Sequence, residues 1–399
     1  MNILFALYHD FTANSAIHVH ALANELSVLG NECCVAVPFN KGSVAALGPA
    51  QFTELEFEEV FQQDSLFSNG HGPDIVHAWT PREIVRKFCE QLLQVHQCRL
   101  FIHLEDNEWH LLSCFLGEPF QKIASLPAHE LDAKVPPTLS HPQRGVDFLK
   151  SATGITVIID RLRELAPPEK LVLELWPAAR RDLFGPRPKQ PVQKRIAGLP
   201  ENVTVLVYTG NVHYANAHEV RSLYLAVAIL NREGHPTAIV RTGRDFFPFL
   251  GPEENWARRY SSELGIVPYE AIPDVLALAD ILVQPGSPDE FNDYRFPSKL
   301  PEFLSIGRPL VLPNTNVARR MKHRQHGFIL AKSNAVSIAT AVREIMSDRA
   351  LYDSLSKGAL AFSEEHLSWE KSAKKLETFY RETAQMFKAL SRSAHSAIP

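Results

Sequence analysis

The feature that most constrains this chain is an alternation of short apolar runs with amphipathic stretches, which occurs twice. Near the N-terminus, the run from Ile3 to Tyr8 is typical of a buried strand, and a helical pattern that ends at Gly30 follows it. Further strand patterns lie at 33–37, 74–79, 100–104 and 155–159. Strands that alternate with helices predict a parallel sheet covered on both faces.

The same alternation begins again in the second half. Strand patterns lie at 203–208, 237–241, 281–283 and 310–312, with helical patterns between them. A Pro-rich stretch from Pro167 to Pro191, continued by polar residues 193–195, separates the halves and is predicted to be the interdomain connection. We therefore predict an α/β fold of two Rossmann-like, doubly wound domains that face each other across a cleft. The predicted boundaries are 1–185, 186–365 and a C-terminal helical segment 366–399.

Composition narrows the class of protein. The 399 residues are long for a single core, and a net charge of −4 with mixed signs argues against nucleic acid as a partner. Five cysteines without a disulfide or metal-ligand spacing indicate buried thiols in a reducing compartment. No apolar run approaches the length of a membrane span, and no signal peptide pattern is present. We therefore expect a cytoplasmic protein, at most peripheral to the inner face of a membrane.

One basic run is the exception to the mixed charge. It contains four cations, Arg319, Arg320, Lys322 and Arg324. The pattern favours a solvated helix face. The alternative is contact with anionic lipid headgroups.

The segment 296–309 predicts an anion-binding helix start. Ser298 is a good N-cap, and Pro301 is tolerated in a first turn. The backbone N–H groups of Lys299 and Leu300 would then lack helical partners, and with the Lys ammonium they would form a phosphate site. An ordinary capped surface helix is the alternative reading.

The same segment carries a carboxylate one turn further on. Glu302 lies one residue beyond the capping-box position, so it is free for other contacts. Its oxygens are suited to accept hydrogen bonds from ribose hydroxyls. Arg295, just ahead of the helix, is a candidate to neutralise phosphate charge.

Two turns of the second half carry further candidates. Gly210, Asn211 and His213 follow the first strand, where phosphate or sugar contacts usually lie in such folds. Arg241 and Arg244 follow the next strand, and either is suited to a diphosphate. The alternatives are a simple connecting loop and arginines that face solvent.

In the first half, His103 ends a strand pattern and acidic residues follow it at Glu105, Asp106 and Glu108. A general base or an acceptor-binding group would be expected there. The alternative is a core histidine bonded to backbone, followed by a solvated acidic loop.

These residues resemble the GT-B glycosyltransferases, and within them the retaining group called family 4. The resemblance is carried mainly by 296–311, by 265–273 and by 279–285, with weaker matches at 74–77 and 176–184. It implies retaining transfer from a nucleotide diphosphate sugar, a UDP- or GDP-sugar most of all, to a hydroxyl of a glycan, a lipid-linked molecule, a protein or a small molecule. It implies no obligatory metal or cofactor. It also implies that the segment near Trp369 crosses back to the first domain, and that residues near Asp293 and Tyr294 contact the sugar.

Two departures from that family concern the donor chemistry. Tyr294 stands where the family commonly has the first of two glutamates, and no Arg or Lys follows Gly210 until Arg221. Lys299, Arg244 or Arg295 would then supply the charge. Two other functions therefore stay open: a catalytically degenerate protein that binds a nucleotide sugar or a partner, and a nucleotide-sugar epimerase.

Overall fold

The computed structural model describes residues 1–188, 198–289 and 291–396, so polar residues 193–195 of the predicted connection lie outside the described residues. The chain divides into two compact units. Unit 1 is Met1–Pro177 together with Trp369–Pro399, and unit 2 is Ala178–Ser368.

Unit 1 is built on a parallel sheet that has seven strands within the described residues, in the order β3-β2-β1-β4-β5-β6-β7. The central strands are buried along their whole length, which is why they consist of apolar runs. The strands are β1 (Asn2–Ala6), β2 (Glu32–Val37), β3 (Thr53–Glu56), β4 (Ile75–Trp79), β5 (Arg99–Leu104), β6 (Gly154–Val157) and β7 (Val172–Glu174).

Helices cover the faces of this sheet. The helices are α1 (Asn14–Val28), α2 (Phe57–Val60), α3 (Glu83–Val95), α4 (Glu108–Leu116), α5 (Phe120–Ala124), α6 (Ala128–Lys134), α7 (Arg144–Ser151) and, after unit 2, α14 (Trp369–Ser396). The last helix places Ala373, Leu376 and Tyr380 in the same buried cluster as Val19 of α1. It is therefore part of the core of unit 1, although it is the last helix in the chain.

Unit 2 repeats the architecture with a parallel sheet of six strands in the described part, in the order β10-β9-β8-β11-β12-β13. The strands are β8 (Thr204–Thr209), β9 (Thr237–Thr242), β10 (Ser261–Gly265), β11 (Ile281–Val283), β12 (Leu310–Pro313) and β13 (Phe328–Leu330). The helices are α8 (Ala217–Arg232), α9 (Glu254–Ala257), α10 (Ile272–Ala277), α11 (Leu300–Ser305), α12 (Ala335–Ser347) and α13 (Arg349–His366).

The prediction of two Rossmann-like parallel-sheet domains is confirmed. Four strands were not visible in the sequence, namely β3, β7, β10 and β13. Two of these, β3 and β10, are edge strands of polar sequence that are buried only in part, so they lack the apolar pattern that marks central strands. The strand β7 lies inside the Pro-rich stretch that we predicted to be a connection.

Candidate functional site

In unit 2 two glycine turns meet at the carboxyl ends of β8 and β9. Gly210 has φ +145° and Gly243 has φ +99°, a backbone region that favours glycine. A Cβ at Gly243 would lie 2.5 Å from the carbonyl oxygen of Gly210. The two turns therefore pack backbone against backbone, which only glycine allows.

Asn211 joins the same two turns. Its Oδ1 accepts a hydrogen bond from the backbone N–H of Arg244 at 2.8 Å, and Val212 N–H donates to the Arg244 carbonyl at 2.8 Å. The Asn211 side chain therefore holds the loop, while the exposed Arg244 side chain extends from it. Arg241 does not belong to this group. It is buried and paired with Asp245 at 2.6 Å and Glu263 at 3.0 Å, which does not favour contact with a diphosphate, and that contact stays a prediction.

The Lys299 ammonium lies beside Gly210. Its Nζ is 4.1 Å from the ring centroid of Tyr208, a residue of β8, and 2.5 Å from the position that a Cβ on Gly210 would occupy. The aromatic face of Tyr208 attracts the cation and limits where it can lie. A positive charge is therefore held at the glycine turn.

Two further donors converge on the same point. Burial lowers the pKa of His213, and the positive charges of Arg295 and Lys299 lower it further, so the three groups are near neighbours. The Arg295 guanidinium lies 4.0 Å from the ring centroid of Phe291, and its Nε is buried without a hydrogen-bond partner among the described atoms. An arginine with a buried, unused N–H is suited to an anionic ligand. We call Arg295 and Lys299, with the neighbouring Gly210 and His213, the cation cluster, after its two charged members.

Glu302 lies next to the cation cluster and is partly buried. Burial raises its pKa to about 7, although a hydrogen bond from the Tyr269 hydroxyl and the charge of Lys299 partly oppose the shift. Tyr269 lies in the segment 265–273 that carries the resemblance, but the sequence did not indicate it as a site residue. Its hydroxyl fixes the carboxyl group of Glu302 through one hydrogen bond, so the other lone pairs of that carboxyl group remain available to another donor.

The predicted helix start is wrong in detail. Helix α11 begins at Leu300, and the first residue before it, Lys299, already has helical dihedral angles. Because a turn precedes the helix, the N–H of Leu300 donates to the Pro297 carbonyl at 2.9 Å and is not free. The exposed Ser298 makes no capping hydrogen bond. Of the two backbone N–H groups predicted to be free, that of Leu300 is therefore engaged, and the phosphate site at this helix start stays a prediction.

A buried acid organises the loop that carries Arg295. Glu219, in the first turn of α8, accepts hydrogen bonds from Asn292 Nδ2 at 2.6 Å and from Ser287 N–H at 3.1 Å. Burial raises the pKa of Glu219, and the Asn292 hydrogen bond and the charge of Arg295 oppose this effect. No sequence pattern indicates this pairing, because the two partners are 73 positions apart.

Asp293 has partners of its own. Its carboxylate accepts hydrogen bonds from Arg319 at 2.7 and 2.8 Å and from the Thr315 hydroxyl. Tyr294, its neighbour, is partly buried. The side chain of Asp293 therefore holds the loop in place, and its predicted contact with a sugar stays a prediction.

The basic run does not form a helix face, contrary to prediction. Only its first two residues lie in a helix, the short 3-10 segment Asn316–Arg320, and the rest forms a tight turn before β13. Arg319 is paired with Asp293 and Arg324 with Glu344. Within the described residues, Arg319 and Arg324 are thus paired with acids of the chain itself, which weakens the case for lipid contact.

In unit 1, His103 ends β5 and is buried. Its ring stacks on Trp79 with centroids 3.9 Å apart, and its Nδ1 lies 2.8 Å from the Thr156 hydroxyl. Burial, opposed in part by Glu105, lowers the pKa of His103 to about 3, so the imidazole is neutral at physiological pH. Its Nε2 has no hydrogen-bond partner among the described atoms.

The acids after His103 differ from one another. Burial opposes the ionisation of Glu105, but hydrogen bonds, above all with His18 at 3.3 Å, outweigh it and hold the pKa at about 2. Glu105 also accepts hydrogen bonds from Trp79 Nε1 at 2.6 Å and from the Ser15 hydroxyl. Asp106 lies 3.8 Å from Arg82, and its side chain is 35% exposed. Of the three predicted acids, Asp106 is the one that solvent can reach, since Glu108 is buried and paired with Arg82 at 3.3 Å.

Thr80, next to this group, was not predicted. It has φ +86°, which is rare for a β-branched residue, and its N–H donates to the His103 carbonyl at 3.2 Å. Strained residues of this kind are often found at ligand sites. The sequence Trp79-Thr80-Pro81 does not predict the positive φ of Thr80, since a residue before proline usually has extended geometry.

Comparison with known proteins identifies a family match in unit 2 and solved structures with the same fold. Residues 203–348 match the family model described as glycosyl transferases group 1. The chain is similar to Anabaena HepE in complex with UDP and glucose, with a TM-score of 0.65, 12% identity and coverage of 95% of this chain and 99% of that chain. Comparison with curated protein sequences gives no match.

Two other solved structures have the same fold. Sucrose-phosphate synthase from Thermosynechococcus elongatus aligns with a TM-score of 0.65 and 14% identity over 98% of this chain and all of that one. WaaG, a glycosyltransferase involved in lipopolysaccharide biosynthesis, aligns with a TM-score of 0.60 and 12% identity over 94% of this chain and 98% of that one. The fold is therefore GT-B, and with the group 1 match in unit 2 the predicted class of enzyme, a glycosyltransferase, is confirmed.

Proposed function

We propose that the protein transfers a sugar, with retention of anomeric configuration, from a UDP-sugar to an acceptor hydroxyl. The observation that carries this proposal is the Lys299 ammonium beside Gly210, with His213 and Arg295 as neighbours, inside the domain that matches the group 1 family. UDP is favoured over GDP because HepE, which has the same fold, was solved with UDP and with UDP-glucose.

The cation cluster suits the leaving group of this reaction. When the bond between the anomeric carbon and the diphosphate oxygen breaks, its electron pair stays on that oxygen and negative charge grows there. Fixed cations stabilise that charge more in the transition state than in the bound donor, which is what accelerates the reaction. Lys299 and Arg295 would take this role. They would replace the Arg and Lys that many members of the resembled family place shortly after the glycine turn.

Glu302 would hold the ribose of the donor. One part of its carboxyl group is fixed by the Tyr269 hydroxyl, and the rest is available to the ribose hydroxyls. Asn211 keeps a lesser part in the proposal, through the two glycine turns that it joins. Ser298 stays a proposed donor-side residue. Asp293, Tyr294 and Arg244 remain proposed donor-side residues at the edge of the site.

His103, Glu105 and Asp106 would serve the acceptor side. Because Asp106 is the most accessible of them, it is the best candidate to contact the acceptor hydroxyl. The buried carboxylate of Glu105 is fully hydrogen-bonded and would act by fixing Trp79 and His18. The acceptor is a glycan, a lipid-linked molecule, a protein or a small molecule.

The proposal does not assign a metal. No group of three or more His, Cys, Asp or Glu side chains is placed to hold an ion within residues 1–188, 198–289 and 291–396. The charge on the diphosphate is assigned instead to Lys299 and Arg295.

None of the described helices is both long and apolar enough to span a lipid bilayer.

The test is an assay of nucleotide diphosphate release from a panel of UDP-, GDP-, ADP- and TDP-sugars with mixed acceptors, followed by NMR of the product anomer. Lys299→Met is expected to lower kcat by roughly 100-fold, as loss of one charge-stabilising donor does. Lys322→Met, on an exposed lysine of the basic run, is the matched control and should not change it.

Each alternative function gives a different result in this assay. Binding of a nucleotide sugar without release would indicate a catalytically degenerate protein. An altered donor sugar, formed without any acceptor product, would indicate an epimerase. An inverted anomer in the transfer product would contradict the retaining mechanism.

A further inference from the structure

A chain of hydrogen bonds runs from the last helix to His103. The Tyr380 hydroxyl on α14 lies 2.6 Å from His77 Nδ1, and His77 Nε2 lies 2.9 Å from the Thr156 hydroxyl. That hydroxyl is also 2.8 Å from His103 Nδ1. All four residues are at most 1% exposed. We call them the buried relay.

Aromatic rings enclose the buried relay. Phe5 stacks on His77 with centroids 5.5 Å apart, and Phe101 lies edge-on to Tyr380 at 4.7 Å. In the part of the chain that the structure describes, His77 Nδ1 is the one acceptor within reach of the Tyr380 hydroxyl. Buried polar hydrogens without acceptors are costly, so the direction of these bonds is not arbitrary.

The hydrogens of the relay can be counted. Each neutral imidazole carries one N–H and each hydroxyl one O–H. If Tyr380 donates to His77, then His77 Nε2–H donates to Thr156 and Thr156 donates to His103 Nδ1. In that arrangement the N–H on His103 Nε2 has no acceptor and the lone pairs of the Tyr380 oxygen accept no hydrogen bond; in either direction His103 Nε2 is the unpartnered atom.

The opposite direction is less favourable. His103 Nδ1–H would donate to Thr156, Thr156 to His77 Nε2, and His77 Nδ1–H to the Tyr380 oxygen. The Tyr380 hydrogen would then have no acceptor, and the lone pair on His103 Nε2 would also be unused. Each direction leaves one hydrogen and one acceptor unused. The unused acceptor is the weakly basic phenol oxygen in the first direction and the more basic imidazole nitrogen in the second, so donation from Tyr380 toward His103 is preferred.

We propose that Tyr380, His77 and Thr156 are positioning residues that fix His103 as the tautomer with hydrogen on Nε2. His103 then donates a hydrogen bond from Nε2 to a sugar or acceptor oxygen and does not act as a general base. The assignment of the ligand rests on the proposed transferase function, whereas the assignment of the tautomer does not. This replaces the general-base role that the sequence suggested for His103.

The tautomer can be measured without any substrate. In protein labelled with 15N in histidine only, long-range 1H–15N correlation spectra distinguish a protonated ring nitrogen from an unprotonated one, and His103→Gln assigns the signals. The wild-type protein is expected to show hydrogen on Nε2 of His103. Hydrogen on Nδ1, or a doubly protonated ring at neutral pH, would overturn the proposal.

Two variants test the relay itself. Thr156→Val removes the hydroxyl that donates to His103, and Tyr380→Phe removes the hydroxyl whose donation to His77 favours this direction. Each should raise the fraction of His103 with hydrogen on Nδ1 by roughly five-fold, the factor that one ordinary hydrogen bond is worth. Thr156→Ser keeps the hydroxyl and should restore the wild-type spectrum. Unchanged spectra in both variants would refute the relay.

The transfer reaction provides a second readout. Thr156→Val should lower kcat/KM by roughly 3- to 10-fold, and Thr156→Ser should return it to within about two-fold of wild type. If no nucleotide sugar reacts while the spectra behave as expected, the proposed function fails and the relay stands. If transfer occurs but His103 carries its hydrogen on Nδ1, the relay fails and the proposed function stands.

Discussion

Replacing Glu302 by Gln should change how the stability of unit 2 depends on pH. The pKa of Glu302 is raised to about 7 from 4.5, chiefly because the carboxyl group is buried. At about 1.36 kcal/mol for each pKa unit, ionising this group costs about 3 kcal/mol more in the folded than in the unfolded protein. The folded pKa is the higher one, so the protonated form favours folding. That contribution is full below about pH 4.5 and is lost as the pH rises to about 7.

The amide that Glu302→Gln introduces has nearly the same shape as the acid but does not ionise. At pH 8 the variant should therefore be more stable than wild type by up to about 3 kcal/mol, and at pH 4.5 the two should be nearly equal. For a unit of this size the difference at pH 8 corresponds to a rise of roughly 6–12 °C in Tm. The assay is scanning calorimetry without nucleotide at several pH values.

Glu270→Gln is the matched control, since Glu270 is exposed and also lies next to Tyr269. It removes one negative charge from the same surface and should leave the pH dependence as in wild type. A Glu302→Gln variant that is less stable than wild type at pH 8, or equally stable at every pH, would refute the reasoning from burial.

Three other outcomes are expected in unit 2. Gly210→Ala places a Cβ 2.5 Å from Lys299 Nζ at a φ that side chains rarely adopt. Urea unfolding should therefore show a free energy of unfolding lower by about 1–2 kcal/mol, and titration should show the affinity for UDP reduced roughly 10-fold or more. Gly243→Ala should be worse for stability, by about 2–4 kcal/mol, because its Cβ meets the backbone of Gly210, which cannot move aside as a lysine side chain can. Transfer activity should survive EDTA, because Lys299 and Arg295 are proposed to neutralise the diphosphate; loss of activity restored by Mg²⁺ or Mn²⁺ would contradict that assignment.

Much of the fold was predictable because its central strands are buried on both faces. The strands β1, β4 and β8 consist almost wholly of apolar residues, and the helices between them have clear periodicity. The edge strands β3 and β10 were missed because their sequences are polar and only partly buried. Pattern reading detects burial, so it finds the centre of a sheet more readily than its edge.

The candidate site was predictable in its location but less so in its chemistry. The sequence singled out Gly210 from a strand end with a glycine turn, and Lys299 and Glu302 from a predicted helix start; the structure places Lys299 beside Gly210 and near Glu302. The sequence did not indicate the partners that set the properties of these residues, since Tyr208 and Tyr269 contact Lys299 and Glu302 only in the folded chain. The same is true of His103, whose tautomer depends on Tyr380, because the link through His77 joins residues 303 positions apart.

One local error has a simple cause. Ser298 is a favourable N-cap by residue type, yet the chain already turns at Pro297 and satisfies the N–H of Leu300 before α11 begins. Residue preferences describe an isolated helix start and do not include a preceding turn.

The most direct test of the central claim is isothermal titration of UDP into the wild-type protein, Lys299→Met and Lys322→Met. The account predicts that wild type and Lys322→Met bind UDP with equal affinity, and that Lys299→Met binds it at least about 10-fold more weakly, which is a loss of about 1.4 kcal/mol. Equal binding by all three proteins would place the diphosphate away from Lys299. No binding by any of them would contradict a UDP-sugar donor.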